Sequence, residues 1–180
     1  MHDEFVAFLK APGKETFLAV RALIAASEGF DPYSRELDQA IELLQAERYA
    51  DCTEALRAGM PGLLLSPRAH LIFGMAAKVS GDQEQSEFEY YVASTCVEGI
   101  LSTGNGSATS PYLVLRTSDE YDVLEYLEKE FSGQTLAEYE GKHYDIIKCT
   151  DGTEYCFDIS EPYAKLQQRF GDSGLDELPN

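Results

Sequence analysis

The segment Ser66-Pro67-Arg68-Ala69-His70 brings together residue types that could do chemistry. A serine and a histidine four residues apart on a helix can approach each other, as a nucleophile and its general base must do. The sequence suggests no third member of a triad and no oxyanion hole. We therefore expect a structural role, with Ser66 capping a helix and Pro67 at its first position.

The glycine-rich segment Gly104-Asn105-Gly106-Ser107 is a second candidate site. A phosphate-binding loop directs backbone amides at its ligand from the start of a helix, and a Lys followed by Ser or Thr completes it. This segment precedes a strand-like run and lacks that continuation. It is predicted to be a turn in which both glycines adopt positive φ.

The segment from Arg116 to Glu120 combines a cation with two carboxylates. It is typical of a strand end followed by a helix, with Ser118 as the N-cap and the acids in the first turn, where the helix dipole favours negative charge. Arg116 could also anchor a carboxylate at the seam between two domains. If the chain is a small enzyme or ligand-binding protein, its cleft would contain Ser66, Arg68, His70, Asn105, Arg116 and Asp119.

Metal and cofactor sites are not predicted. The three histidines are scattered, and the four cysteines show no close ligand spacing. Cys149 and Cys156 could lie on adjacent strands, where a disulfide is possible. The N-terminus lacks the basic start of an export signal, which favours reduced thiols and a cytoplasmic location.

The charge of the chain is strongly negative, with 32 acidic and 14 basic residues and a net charge of −18. Such a field repels nucleic acid and anionic membranes, and no apolar run approaches the roughly 18 residues of a membrane span. No basic residue occurs between Lys78 and Arg116. The acidity either provides solubility or forms a face that binds a basic protein through Glu84, Glu87 and Glu89.

The periodicity of apolar residues predicts an α+β protein. About six antiparallel helices are expected in a helical array over residues 1–103, and the one over Pro67–Val79 should bury Leu71, Ile72 and Met75. A small antiparallel sheet with one or two helices is expected over 104–172, followed by a frayed acidic tail over 173–180.

Local patterns place the elements of the second region. Tyr112 to Leu115 is predicted to be a short buried strand, and Asp151-Gly152 a hairpin turn between two strands. Thr135 to Tyr139 is expected to form a short strand or a helix turn. The helix that starts at Ser118 is predicted to bury a stripe formed by Tyr121, Leu124, Leu127 and Phe131.

Two resemblances add to this prediction. The segment from His70 to Asp82, with small residues at Gly74, Ala77 and Gly81, resembles the first helix and turn of a tetratricopeptide repeat. The motifs GILSTGNG, PYLVLRTSDEYDVL, YDI and YCFDIS resemble bacterial domain-of-unknown-function family 4919, over roughly residues 60 to 160. That resemblance implies an α+β module and brings no activity or catalytic residues.

The function favoured by these observations is non-enzymatic. We expect a cytoplasmic protein-interaction module that binds a basic protein through acidic, helix-lined surfaces, as an immunity or inhibitor protein would. The alternative is a small enzyme or ligand-binding protein that uses the cleft defined above. The sequence predicts no cofactor and does not indicate an oligomeric state.

Overall fold

A computed structural model describes residues 1–170 of the chain, and the predicted tail over 173–180 lies outside them. Two compact units are present. The first consists of residues 1–30 and 34–102, and the second of residues 31–33 and, within the described residues, 103–170. The first is helical and the second contains a sheet, so the predicted α+β class is confirmed.

The helical unit is built from six helices. They are α1 (His2–Lys10), α2 (Lys14–Ala25), α3 (Glu36–Gln45), α4 (Tyr49–Ala58), α5 (Pro67–Val79) and α6 (Gln83–Ser102). Helix α5 shows why the boundaries follow the sequence: the Ser66 hydroxyl accepts a hydrogen bond from the Ala69 amide at 3.4 Å, and Pro67 needs no amide partner at the first position. The predicted helix start at Ser66-Pro67 is confirmed.

Neighbouring helices of this unit pack through apolar faces. Helix α5 lies along α6, α3 along α4 and α1 along α2. Phe8 and Phe17 are buried with ring centroids 5.7 Å apart, and full burial of one such side chain stabilises a fold by about 1.5–3 kcal/mol. The resemblance to a tetratricopeptide repeat stays a prediction.

As far as residue 170, the second unit contains a four-stranded sheet and two helices. The elements are β1 (Tyr112–Leu113), α7 (Ser118–Tyr126), β2 (Phe131–Tyr139), β3 (Lys142–Cys149), β4 (Glu154–Asp158) and α8 (Ser160–Phe170). The strand order is β1-β4-β3-β2. The β2–β3 and β3–β4 pairs are antiparallel as predicted, but β1 pairs with β4 in parallel, which makes the sheet mixed.

The predicted strand from Tyr112 to Leu115 is shorter in the structure. Only Tyr112 and Leu113 pair with β4, opposite Phe157 and Asp158. Val114 and Leu115 are buried but leave the ladder because the chain turns there into α7. In contrast, β2 is longer than predicted and begins at Phe131.

The predicted buried stripe of α7 is wrong. Tyr121 and Phe131 are exposed, and Leu127 follows the end of the helix, so only Leu124 is buried as expected. The buried face instead carries the acids Asp119, Glu120 and Asp122 together with Val123 and Leu124. Residue 117, not Ser118, occupies the N-cap position.

The hairpin turn at Asp151-Gly152 is confirmed, because Gly152 has a φ of +85° between β3 and β4. Open space surrounds the position where a Cβ would lie. We expect Gly152→Val to destabilise the protein by more than about 1 kcal/mol through backbone strain alone. Thermal unfolding measures this effect, and an unchanged melting temperature would contradict the φ requirement.

All four cysteines are buried free thiols, as predicted. Cys156 lies opposite Ile146 in the β3–β4 ladder, and the Cys149 amide donates to the Thr153 carbonyl at 2.9 Å. The two cysteines are therefore not cross-strand partners. Over residues 1–170, no helix combines the length and the apolar character needed to cross a membrane.

Candidate functional site

Helix α6 presents an acidic surface along its exposed side. Glu84 and Glu87 are exposed on its first turns, and Glu98 is exposed near its end. Phe88 and Tyr91 lie between them and are each about half exposed. Because α6 contains no lysine or arginine, no cation within the helix offsets these carboxylates.

Helix α5 exposes an apolar stripe, which corrects the prediction that Leu71 and Met75 are buried. Leu71, Met75 and Val79 are 38%, 48% and 60% exposed. Their four-residue spacing places them on one side of the helix, while Ala69, Ile72, Phe73 and Ala76 form the buried side. We call the exposed residues of these two packed helices the α5–α6 surface: Leu71, Met75, Val79, Glu84, Glu87, Phe88 and Tyr91.

Glu89 does not belong to this surface, although the sequence placed it there with Glu84 and Glu87. Its side chain is buried, and one carboxylate oxygen lies 2.5 Å from Nδ1 of His70. The side-chain amide of Gln85 donates to the other oxygen at 2.6 Å. The third acid of the predicted trio therefore joins α5 to α6 inside the unit.

The other residues proposed for a cleft in this unit have structural partners. Nε2 of His70 lies 3.0 Å from the Leu64 carbonyl oxygen, so both ring nitrogens are engaged. Ser66 is buried and caps α5, and Arg68 is half-buried with partners of its own. These contacts hold the start of α5 in place.

Asn105 forms a compact turn in the second unit. Its side-chain oxygen accepts a hydrogen bond from the Ser107 amide at 3.0 Å, and its own amide donates to the Ser110 carbonyl at 2.9 Å. The predicted structural turn is confirmed. Of the two glycines beside Asn105, however, only Gly106 has a positive φ, at +73°.

Arg116 and Asp119 are buried rather than placed in an open cleft. Asp119 accepts a hydrogen bond from the Arg116 amide at 3.1 Å, and the guanidinium donates to the Pro32 carbonyl at 3.0 Å. Burial and the nearby Asp122 carboxylate raise the pKa of Asp119 to about 7, against the opposing effect of Arg116.

Glu120 and Asp145 form a second pair of buried carboxyls in the same unit. Burial and the charge of Asp145 raise the pKa of Glu120 well above its ordinary value, and burial also raises that of Asp145. The two groups lie within hydrogen-bonding reach, so a proton is needed between them. Burial, with the charges of Asp145 and Glu120, raises the pKa of Tyr33 to about 12.

These buried acids do not form a metal site. Within the part of the chain that the structure describes, no group of three His, Cys, Asp or Glu side chains is arranged to hold a metal ion. Asp119, Glu120, Asp122 and Asp145 are instead enclosed with Arg116. No sequence pattern indicated this cluster, because acids at the start of a helix normally face solvent.

Comparison of the chain with protein-family models, with curated proteins and with solved structures found no match. The resemblance to family 4919 therefore stays a prediction based on the quoted motifs. The α5–α6 surface combines exposed apolar side chains on α5 with exposed acids and aromatic rings on α6.

Proposed function

We propose that the protein is a non-enzymatic interaction module that binds a basic protein through the α5–α6 surface. The observation that carries this proposal is the exposed apolar stripe on α5, a helix packed against α6 with its exposed acids. An exposed apolar patch with a charged rim is typical of protein-binding surfaces. The apolar stripe would provide most of the binding affinity, and the acids would favour a partner with positive charge.

Charge supports a basic partner in particular. The chain carries a net charge of −18, and the region from Val79 to Leu115 contains no basic residue. A field of this sign accelerates encounter with a cationic protein and repels anionic ones. An inhibitor or immunity protein that neutralises a basic toxin needs such rapid association with a cationic protein.

The cellular location and the family assignment belong to the same proposal. Four buried free thiols are consistent with a reducing cytoplasm, where disulfides are rare. Membership of family 4919 adds no activity to this proposal. The alternative enzyme function gains no support from Ser66 and His70, whose polar atoms are engaged in capping α5 and joining it to α6.

The test compares association kinetics of a purified basic partner with the wild type and a Glu84→Gln/Glu87→Gln variant. We expect the variant to associate several-fold more slowly at low salt and to dissociate at nearly the wild-type rate, since exposed rim charges act mainly on encounter. Surface-binding kinetics over a salt series measures both rates.

A matched control variant is Asp38→Asn/Glu42→Gln, which removes two exposed charges from α3 of the same unit. It changes the net charge by the same amount and should slow association less. If both variants slow association equally, only the net charge matters. If neither does, the acidic side of α6 is a solvated face and the proposal fails.

A further inference from the structure

Strand β2 leaves one of its two edges without a partner in the part of the chain that the structure describes. It is nine residues long, lies at the end of the strand order and pairs only with β3. Such an edge presents a row of backbone donors and acceptors that another strand can pair with. Its length is ample for strand addition.

The hydrogen bonds of the sheet identify which backbone groups are free at this edge. The backbone amide of Cys149 donates to the Thr153 carbonyl, and the His143 carbonyl accepts from the Ile159 amide. The backbone N–H and C=O groups of the odd-numbered residues of β3 are therefore directed towards β4. Alternate residues of an antiparallel strand bond to opposite sides. The even-numbered residues of β3 therefore bond to β2, opposite Thr135 and Ala137.

It follows that Gln134, Leu136 and Glu138 direct their backbone groups outward. The Leu136 side chain is 53% exposed and that of Tyr139 is 67% exposed. The strand contains neither proline nor lysine, the usual means by which an edge is protected. A bulge between Phe131 and Gly133 limits the regular edge to the rest of the strand.

Charge decides what kind of strand this edge can accept. Exposed acids flank both ends, with Glu128 and Glu130 before β2 and Glu138 and Glu140 at its end. The adjacent cations are already paired, since Lys129 lies 2.5 Å from Asp151 and Lys142 lies 3.2 Å from Asp158.

A second copy of the chain, paired antiparallel about a two-fold axis, would bring the acids at one end of β2 against those at the other. Like charges placed opposite each other destabilise a strand pair. An extended segment with cationic ends and an uncharged centre would meet favourable charges at both ends.

We propose that the free edge of β2 binds an extended segment of a basic protein by strand addition. Backbone hydrogen bonds to Gln134, Leu136 and Glu138 supply the pairing, and the flanking glutamates select lysine or arginine at both ends of the segment. This surface belongs to a different unit from the α5–α6 surface and does not depend on it. Either surface can fail its test without the other.

The probe is a synthetic peptide of the same length as β2, with alternating Thr and Val at its centre and Lys pairs at both ends. We expect it to bind the full chain and to shift the amide resonances of β2. Three control peptides define the mode of binding. One carries Glu pairs in place of Lys, one is N-methylated at alternate central amides that face the protein, and one is N-methylated at the intervening amides.

The Glu peptide and the first N-methylated peptide should bind at least about tenfold more weakly, while the second N-methylated peptide should bind like the parent. Equal binding of the two N-methylated peptides would overturn strand addition. Equal binding of the Lys and Glu peptides would overturn the charge preference. Resonance shifts confined to helices or strands other than β2 would overturn the assignment of the binding site to the edge of β2.

Variants of the chain provide a second test. Leu136→Pro removes an outward amide that β3 does not use, and we expect it to weaken peptide binding about tenfold with little change in the melting temperature. Leu136→Ala keeps the amide and should retain most of the binding. The chain alone could instead sediment as a dimer, and Leu136→Pro could dissociate that dimer. This result would show that a second copy of the chain, rather than a basic segment, occupies the edge of β2.

Discussion

The wild-type protein is expected to lose stability as the pH rises from about 4 to about 7, because its second unit buries carboxyls that retain their protons. The pKa of Asp119 is raised from its ordinary 3.8 to about 7 by burial and by Asp122. The folded state thus holds a proton that the unfolded chain releases in this interval. The contribution of Asp119 to the stability of the folded state is present in full below its ordinary pKa of 3.8 and is lost above its folded pKa of about 7. That loss is on the order of 4 kcal/mol.

Glu120→Gln tests the same effect at the neighbouring pair. A glutamine can donate a hydrogen bond to Asp145 without the proton that Glu120 must retain. We expect the variant to be more stable than wild type by about 1–3 kcal/mol near pH 8, with a smaller difference near pH 4. Urea unfolding, monitored by tyrosine circular dichroism across this pH range, measures both.

Glu125→Gln is the matched control, since Glu125 is exposed on the same helix. It should leave the pH profile unchanged. The groups whose folded pKa is lowered, among them Asp151 and Asp158, act in the opposite direction, since their stabilising effect disappears in acid. A wild-type stability that increases steadily from pH 4 to 8 would therefore contradict the role of the buried carboxyls.

Gly104→Ala is expected to destabilise the second unit by about 3 kcal/mol or more. A Cβ at Gly104 would overlap the backbone carbonyl oxygens of Ser110 and Pro111. These atoms cannot rotate away as a side chain can, and the Ser110 carbonyl also accepts hydrogen bonds from the amides of Asn105 and Gly106. Overpacking against backbone must displace the loop.

The control for this substitution is Gly133→Ala in β2 of the same unit. No atom lies within 4 Å of the Cβ position at Gly133, and an alanine in a strand costs less backbone entropy than glycine. Its stability should equal or slightly exceed that of wild type. Equilibrium urea denaturation compares the two variants, and equal midpoints would show that the loop has room for a side chain.

Local sequence signals predicted most of the fold. Ser66 with Pro67, and Asp151 with Gly152, each determine backbone geometry within a few residues, so the start of α5 and the β3–β4 turn could be located in advance. Strand β2 was only partly found because Ser132, Gly133 and Gln134 have weak strand preference. Its pairing with β3, a long-range contact, extends the strand to Phe131.

The candidate surface was predicted only in part. Glu84 and Glu87 are exposed as expected, but the periodicity of α6 did not separate them from Glu89, whose burial depends on His70 of another helix. Likewise, Leu71 and Met75 were assigned to the core because apolar residues usually lie there. Which side of α5 meets its neighbours is decided by packing in three dimensions.

The three residues 31–33 belong to the second unit although they lie between α2 and α3 of the first. The Pro32 carbonyl accepts a hydrogen bond from the buried guanidinium of Arg116, and the Tyr33 hydroxyl lies in the field of Asp145 and Glu120. A fragment that begins at Thr103 would therefore lack an acceptor on which its buried arginine depends. A cut after Ser102 would leave residues 31–33 on the other fragment, so proteolysis at that one position cannot release the sheet unit with all of its residues.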